Sequence, residues 1–216
     1  MYSCFNLGVS KTTWHKRTIE SLVDLASKKD WDNFHGNYGG KESQLLHDTI
    51  MAGNVSVKHK SVLVIGSIEP WVESIFLSLG ANHTTTLEYN KIVTNHPQVI
   101  QQLNFSVNPA LTLKHHEYIS TLIMNRLLLY LIKTTTYLPW ELSQRYLSGD
   151  LSEKFDIMVS YSSLEHGGLG RFGDALHPWG DLVTMAKAWC LVRKGGMAVI
   201  AVPTARQDTI EYNAHR

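Results

Sequence analysis

The region from Phe155 to Pro203 constrains the fold of this 216-residue chain more than any other. Two short apolar runs, Phe155–Ser160 and Met197–Pro203, have the composition of strands that are buried on both faces. Between them, apolar residues recur at helical spacing from Leu182 to Cys190, and Lys194–Gly196 is predicted to end the helix. Strand, helix and strand together predict one right-handed crossover of a parallel sheet, and therefore an α/β protein.

The alternation of strands and helices continues upstream. Ser61–Gly66 is a continuous apolar run typical of a buried strand, and Thr84–Leu87 follows it as a second strand. Between them Pro70 suits the first turn of a helix, because its missing N–H needs no partner there. The sheet-facing residues of this helix are predicted to be Val72, Ile75, Phe76 and Leu79. The pattern predicts a Rossmann-like, doubly wound and mostly parallel sheet.

Two amphipathic helices are predicted ahead of this sheet. The first spans Lys11–Lys29, with Thr12 or Thr13 as its cap, and the second spans Lys41–Ala52. Their inward-facing residues are predicted to be Ile19, Leu22, Val23 and Ala26 in the first helix, and Leu45, Leu46 and Ile50 in the second. We therefore expect an N-terminal helical segment over residues 1–60 and an α/β domain over residues 61–216.

The centre of the chain departs from the pattern of a compact doubly wound fold. Val99–Phe105 is compatible with a short third strand, Tyr118–Thr134 with a strongly apolar helix, and Pro139–Ser148 with another helix. A crossover between parallel strands needs only about a dozen residues, and this span is much longer. Residues 106–138 are therefore interpreted as an insertion.

Composition argues against several classes of function. The 20 lysines and arginines nearly cancel the 19 aspartates and glutamates, so the net charge of +1 does not favour nucleic acid or an anionic membrane. Cys4 and Cys190 are far apart, and the adjacent His115 and His116 have no carboxylate or cysteine at ligand spacing. We expect neither a disulfide framework nor a metal site.

The sequence predicts neither a membrane span nor a secretion signal. The most apolar stretch, Ile119–Ile132, contains Arg126 and is shorter than the ~20 residues of a spanning helix. The N-terminus lacks the apolar core of a signal peptide. We expect a soluble cytoplasmic protein, although the glycosylation sequons at Asn54, Asn82 and Asn104 leave a secretory route open.

Two predicted strand ends carry residues suited to binding a nucleoside. Gly66 ends the first strand just before a helix N-terminus, which is where Rossmann-like folds hold nucleotide-type ligands. Glu88 ends the second strand about twenty residues later, where a carboxylate accepts hydrogen bonds from both ribose hydroxyls. Because Gly66 is the only glycine of the G-x-G-x-x-G motif present, an ordinary turn and a solvated Glu88 remain the alternatives.

The loop after Phe155–Ser160 contains the candidate chemistry. The residue types of a hydrolase triad are present in Ser162, Ser163, Glu165 and His166, but the G-x-S-x-G nucleophile elbow is absent. His166 is better suited to act as a single general base, and a hydrogen bond to a loop carbonyl is the alternative role. The residues predicted to form ion pairs that hold this loop are Arg171, Asp174 and Asp181.

Together, these strand ends and the loop after Phe155–Ser160 resemble the class I S-adenosylmethionine-dependent methyltransferases. The resemblance is carried by Val62–Gly66, by Glu88, by the strand at Phe155 with Ser163–His166, and by Lys194–Gly196. In that superfamily the glycine loop contacts the methionine part of the cofactor and the acidic residue holds the ribose. The loop after the fourth strand faces the methyl donor and the acceptor.

The resemblance implies S-adenosylmethionine as the cofactor and a role for each site residue. The implied cofactor-binding residues are Gly66, Ser67, Glu88, Tyr89, Ser160 and Ser162, and the implied catalytic residues are His166 and Glu165. We expect methyl transfer to a hydroxyl of a small molecule or a glycan, with no nucleic-acid or membrane partner. The alternative is a non-catalytic, degenerate or truncated methyltransferase-like domain that acts as a binding module.

Three segments are more narrowly similar to the nematode family called domain of unknown function 268. They are Val62–Ser67 with Pro70–Glu73, then Thr85–Asn90, and the long run Ser162–Asp181. Asp208 and Asn213–Arg216 also fit, so the resemblance extends over roughly Tyr38–Arg216 without the insertion.

Two departures from the methyltransferase pattern are expected to matter. The glycine loop is reduced to Gly66–Ser67, and Ser67, Glu69 and Trp71 are candidates to replace the missing contacts, with Trp71 stacking on the ligand or simply packing. The chain ends shortly after Pro203, so we expect the antiparallel hairpin that normally completes the sheet to be lacking.

Overall fold

The computed structural model describes residues 11–94, 133–137, 139–149, 155–170, 174 and 176–207. The described strands are β1 (Lys11–Trp14), β2 (Ser61–Ile65), β3 (His83–Leu87), β4 (Lys91–Thr94), β5 (Lys133–Tyr137), β6 (Phe155–Tyr161) and β7 (Val192–Ala201). The described helices are α1 (Lys16–Lys28), α2 (Gly40–Ala52), α3 (Trp71–Ser78), α4 (Pro139–Ser148) and α5 (Gly180–Cys190), with a 3₁₀ turn at Leu164–His166.

Five of the described strands form one parallel sheet. Their spatial order is β5-β3-β2-β6-β7, and every pair of neighbours runs parallel. Counted along the chain within this sheet, the order is 3-2-1-4-5, as in doubly wound nucleotide-binding sheets. The described part of the chain is therefore compatible with the predicted Rossmann-like α/β fold.

Helices cover both faces of this sheet. On one face, Leu22 of α1, Ile50 of α2 and Phe76 of α3 form a buried cluster with Val64 and Val159 of the sheet. On the other face, Leu142 of α4 and Ala188 of α5 form a second cluster with sheet residues that include Leu63 and Met158. Because successive strand residues point to opposite faces, each strand contributes to both clusters, and the result is a three-layer arrangement.

The topological switch point lies between β2 and β6. In doubly wound sheets this is where the strand order reverses and where the loops after the two strands leave on opposite faces. Here the loop after β2 leads to α3 on one face, and the loop after β6 leads to α5 on the other. The carboxyl ends of β2 and β6 therefore bound the crevice that positions the candidate site.

At the end of the sheet away from the candidate site, the amino ends of three strands are linked by one carboxylate. Asp156 Oδ2 accepts hydrogen bonds from the backbone N–H of Ser61 (2.8 Å) and from its hydroxyl (2.9 Å), and Oδ1 lies 2.6 Å from Arg193 Nη2. Partial burial acts to raise the pKa of Asp156, but these hydrogen bonds and the charges of Arg193 and Lys60 lower it overall. The amino ends of β2, β6 and β7 are thus tied together away from the candidate site.

The main predicted elements of the α/β domain are confirmed. Strands form at β2, β3 and β6, and helices form at α3 and α4 within a residue or two of the predicted bounds. In α3, Val72, Ile75 and Phe76 are buried as predicted, whereas Leu79 is only partly buried.

The start of the first helix is corrected. Lys11–Trp14 form strand β1, which pairs in parallel with β4, so neither Thr12 nor Thr13 caps a helix. The cap position of α1 is His15, and no side-chain hydrogen bond caps the helix. In α2, Leu46 and Ile50 are buried as predicted, but Leu45 is 62% exposed. His47 is buried instead, which the sequence did not predict.

The helix and strand that follow the candidate loop differ from the prediction. Helix α5 ends at Cys190 rather than at Lys194–Gly196, which lie in β7 beside an irregularity in the β6–β7 register. The residues predicted to form the buried face of α5, Leu182, Val183, Ala186, Trp189 and Cys190, are exposed. Strand β7, expected to be buried, lies at the edge of the described sheet with most of its residues exposed.

The end of the predicted insertion also differs. Residues 133–137 form β5, which pairs with β3, whereas the sequence predicted the end of a helix there. The third strand of the described sheet is therefore β5. The strand predicted at residues 99–105, most of the apolar helix, His115 and His116 lie outside the described residues.

Candidate functional site

Gly66 lies where the loops after β2 and β6 come together. Its φ of 72° is in the left-handed region, and its backbone N–H donates to the carbonyl oxygen of Leu87 at 2.9 Å. A Cβ atom added to Gly66 would collide with the side chain of Ser163. Only glycine therefore fits this position without rearrangement, and Ser163 covers the open side of Gly66.

Glu88 turns from the end of β3 toward the turn after β2. Its carboxylate is 7% exposed, and it accepts hydrogen bonds from the N–H of Ser67 (3.1 Å to Oε2) and from the N–H of Asn90 (3.2 Å to Oε1). Burial raises the pKa of Glu88, although the backbone N–H donors oppose the shift. The structure thus brings together Gly66, Ser67 and Glu88, as the sequence predicted.

Glu73 is a site residue that the sequence reasoning missed. It lies in the first turn of α3, is fully buried, and accepts a hydrogen bond from Thr86 Oγ1 at 2.6 Å to Oε1. Its Oε2 lies 2.9 Å from Ser67 Oγ. Burial raises the pKa of Glu73 to about 7, against the hydrogen bonds from Thr86, its own N–H and Ser67, and the charge of Glu88 raises it further. A glutamate flanked by sheet-facing apolar residues of α3 was the signal that could have identified it.

The end of β6 carries a buried hydroxyl and a strained residue. Ser160 is 1% exposed, and its Oγ has no hydrogen-bond partner in the described part of the chain. Ser162 has a φ of 48°, which is unusual for a residue other than glycine, and its N–H donates to the carbonyl of Ala201 at 2.8 Å. Such strain concentrates at functional sites.

Ser162 also fixes the carboxylate of Glu165. The hydroxyl of Ser162 donates to Glu165 Oε1 at 2.6 Å, and Glu165 Oε2 is buried without a hydrogen-bond partner in the described ranges. His166 Nε2 lies 4.0 Å from Glu165 Oε1. In a hydrolase triad the serine hydroxyl contacts histidine, whereas here it contacts the carboxylate. The geometry therefore argues against a serine nucleophile and suits Glu165 as a base.

Tyr89 and the loop before α5 complete this edge of the sheet. Tyr89 is 40% exposed. Partial burial raises the pKa of its hydroxyl, and the charges of Asp174 and Glu88 raise that pKa further. Asp174 Oδ2 accepts hydrogen bonds from the N–H of Gly168 (2.6 Å) and of Gly170 (3.3 Å). Asp174 therefore holds the loop through hydrogen bonds from backbone N–H groups, and the ion pair predicted for it stays a prediction.

The other two residues predicted to hold this loop are Asp181 and Arg171. Asp181 accepts a hydrogen bond from the N–H of Leu182 at 2.8 Å. Arg171 lies outside the described residues, as do Asp208 and residues 213–216.

Trp71 packs against protein rather than facing the crevice. It is 2% exposed, and its ring centroid lies 4.9 Å from that of Tyr161 and 6.0 Å from that of Tyr38. A Cβ atom on Gly36 would come within 2.8 Å of Trp71 Cβ, so the segment before α2 lies tightly against this ring. Of the two roles weighed for Trp71, the structure supports packing.

The electrostatics of the crevice favour positively charged or neutral ligands. Glu88 and Glu165 place carboxylates at the carboxyl edge of the sheet, and Glu73 lies buried behind the first turn of α3. The N-terminus of a helix usually attracts anions. At α3 the N–H of Ser67, just before the helix, already donates to the carboxylate of Glu88.

The described residues also bear on metal sites and on membrane spans. Among them, no group of three or more histidine, cysteine, aspartate or glutamate residues is arranged to hold a metal ion. None of the described helices combines the length and the apolar character needed to cross a membrane.

Comparison with known proteins gives one family match. None of the curated proteins compared with the chain matches it. The match covers residues 129–216. Of the three segments that carry the nematode resemblance, Ser162–Asp181 lies inside this range, and the segments within Val62–Glu73 and Thr85–Asn90 lie outside it. Residues 129–216 match the model of the family described as Caenorhabditis protein of unknown function, DUF268, so the predicted resemblance to that family is confirmed over this part of the chain.

Proposed function

We propose that the crevice between β2 and β6 binds S-adenosylmethionine, as in class I methyltransferases, and that the protein transfers its methyl group to a hydroxyl of a small molecule or a glycan. The observation that carries this proposal is the buried carboxylate of Glu88 against the Gly66–Ser67 turn, beside the switch point of a 3-2-1-4-5 sheet.

Glu88 has the capacity to hold a ribose. A carboxylate offers about four lone-pair sites, and the backbone N–H groups of Ser67 and Asn90 use two of them. The backbone of Tyr89 and the side-chain amide of Asn90, which lies 3.5 Å from Oε1, also contact this carboxylate. Two hydroxyl donors on one sugar would therefore replace the longer of these contacts. Burial strengthens such charge-assisted hydrogen bonds, each of which contributes roughly 1.5–3 kcal/mol.

The same residues disfavour a dinucleotide. A pyrophosphate would need the N–H groups ahead of α3, but the carboxylate of Glu88 occupies the N–H of Ser67 and Glu73 lies in the first turn of the helix. The carboxylate of Glu88 would repel a phosphate there, and Glu73 offers it no positive charge. S-adenosylmethionine has a nucleoside, no phosphate and a positively charged sulfonium, so it suits this edge better.

Glu165 is the residue that we assign to the acceptor. Bound S-adenosylmethionine would supply an activated methyl group, and the protein would have to orient the acceptor and remove its proton. Ser162 holds one oxygen of Glu165, which leaves Oε2 to accept the proton of a hydroxyl. Ser160 Oγ, buried near the end of β6, is a second polar atom without a hydrogen-bond partner in the described ranges, and His166 Nε2 lies 4.0 Å from Glu165 Oε1.

One observation favours a second candidate function, a non-catalytic methyltransferase-like domain that acts as a binding module. Ser163 covers the open side of Gly66, and the N–H of Gly66 is already bonded to Leu87. The methionine part of the cofactor would have to find other contacts, or the site has lost the cofactor.

Calorimetric titration with S-adenosylmethionine separates the two functions. We expect saturable binding to the wild-type protein and at least about tenfold weaker binding to Glu88→Gln, because the charge-assisted bonds to the ribose are lost. The matched control is Glu20→Gln, which changes an exposed carboxylate on α1 and should bind as the wild type does. Absence of binding to a protein that is folded by circular dichroism would contradict the methyltransferase and favour the binding module.

A further inference from the structure

Ser67 links two carboxyl groups at the candidate site. Its backbone N–H donates to Glu88 Oε2 at 3.1 Å, and its hydroxyl oxygen lies 2.9 Å from Glu73 Oε2 and 2.7 Å from the carbonyl oxygen of Glu69. Ser67 is itself 2% exposed and Glu73 is fully buried. The position of the Ser67 turn therefore affects how Glu88 is held.

The number of hydrogens in this network limits its protonation state. The hydroxyl of Ser67 has one hydrogen, but two oxygen acceptors lie within hydrogen-bonding distance of it. If Glu73 were ionised, one of these two oxygen–oxygen contacts would contain no hydrogen and would be repulsive. If Glu73 is protonated on Oε2, it donates to Ser67 Oγ, and Ser67 donates to Glu69.

We propose that Glu73 is held as a neutral carboxylic acid that donates a hydrogen bond to Ser67, and that in this form it positions the N–H of Ser67 for Glu88. Thr86 completes the arrangement, since its hydroxyl donates to the other oxygen of Glu73 at 2.6 Å. Every polar atom of the group then has a partner, as buried polar atoms require. Glu73 is thus a positioning residue that acts on the ligand carboxylate through Ser67.

The surroundings of Glu73 agree with a neutral acid. Burial raises its pKa to about 7, well above the ordinary value of 4.5. Helices α1 and α2 and strands β2 and β3 pack against α3, and among their described titratable groups and those of the turn after β3, Glu88 is the one whose charge acts on Glu73. That charge also favours the neutral form.

The direct test is a carboxyl titration by carbon-13 NMR on the wild-type protein, with glutamate side chains labelled. The signal of Glu73 is identified by its loss in Glu73→Gln and by its persistence in the control Glu69→Gln. We expect a midpoint near pH 7 for Glu73. We also expect the amide proton of Ser67 to shift over the same pH range in the wild type and to stay constant in Glu73→Gln, because glutamine is always neutral.

Two results would overturn the inference. One is a Glu73 carboxyl that titrates near its ordinary value of 4.5, because the acid would then be ionised at neutral pH. The other is a Ser67 amide that does not respond when Glu73 loses its proton, because Glu73 would then only fill space. Both results are read from the wild-type protein, and the variant Glu73→Gln serves to assign the Glu73 signal.

The consequence for ligand binding rests on the proposed function. If only the neutral form of Glu73 is competent to bind, the apparent Kd for S-adenosylmethionine rises about tenfold between about pH 6 and about pH 8. Glu73→Gln should remove that rise, and a variant that keeps it contradicts the positioning role. If neither protein binds S-adenosylmethionine, the proposed function fails, while the NMR titration still decides the protonation of Glu73.

Discussion

At the scale of single residues, Gly66 shows how closely two loops approach at the switch point. Its left-handed backbone and its contact with Ser163 are separate constraints, and each of them disfavours a side chain. A left-handed conformation costs a residue with a Cβ atom roughly 1–2 kcal/mol. A collision with a packed neighbour costs about 1–3 kcal/mol more, because the neighbour has to move.

We expect Gly66→Ala to lower the free energy of unfolding by about 2–5 kcal/mol, measured by urea denaturation. The matched control is Gly149→Ala, since Gly149 also has a left-handed φ, of 76°, but an added Cβ would find no atom of the described residues within 4 Å. Gly149→Ala should lower the free energy of unfolding only by the cost of the left-handed backbone conformation, about 1–2 kcal/mol.

A double variant isolates the collision. Ser163→Gly removes the side chain that the new Cβ would meet, so Gly66→Ala should cost less in that background. Equal losses for Gly66→Ala and Gly149→Ala would show that the two loops do not approach as closely as described.

At the scale of elements, α5 shows how a tertiary contact sets the rotation of a helix. Its first residue, Gly180, lies so close to the backbone of Gly168 that a Cβ atom on Gly180 would collide with it. This contact fixes the start of the helix and turns Ala188 toward the core. The larger apolar residues Leu182 and Trp189 remain exposed, at 56% and 51%.

This setting of α5 predicts an unusual order of mutational effects. Ala188→Leu should lower the free energy of unfolding by about 1–3 kcal/mol through overpacking, whereas Leu182→Ala should change it by less than about 1 kcal/mol. Alanine and leucine are both strong helix formers, so the comparison reports packing. Urea denaturation of the two variants measures the difference, and a larger loss for Leu182→Ala would contradict the exposed position of Leu182.

At the scale of the whole molecule, the N-terminal helices and the sheet share one core. Phe34 and Ile50, which precede residue 61, lie in the same buried cluster as Val64, Ile75 and Val159. A hydrophobic core that is shared in this way makes its parts unfold together, because neither part can keep its apolar surface buried alone.

We therefore expect a single unfolding transition, with coincident midpoints from far-ultraviolet circular dichroism and from tryptophan fluorescence. Phe34→Ala should lower the free energy of unfolding by about 3–5 kcal/mol and should shift both midpoints equally, although Phe34 lies outside the sheet. Tyr38→Ala, at a position that is 44% exposed, is the control with a smaller expected effect. Two separated transitions would show that the helical segment folds independently.

The sequence by itself determined the elements that carry a strong local pattern. Continuous apolar runs predicted β2 and β6, helical periodicity with Pro70 predicted α3, and the spacing from Gly66 to Glu88 predicted that these residues meet. These predictions depend on residues near each other in the chain, where periodicity and turn chemistry act directly.

The tertiary structure alone decided the remaining features. Strand β1 forms because Thr12 and Thr13 pair with β4, a contact across about eighty residues of chain that periodicity does not contain. The burial of Glu73 depends on Ser67 and Thr86, which come from two different elements. The exposed face of α5 depends on where Gly168 meets Gly180. Local pattern thus fixed strands such as β2 and β6 and helices such as α3, whereas long-range packing added β1 and fixed which faces are buried and which carboxyl groups share the site.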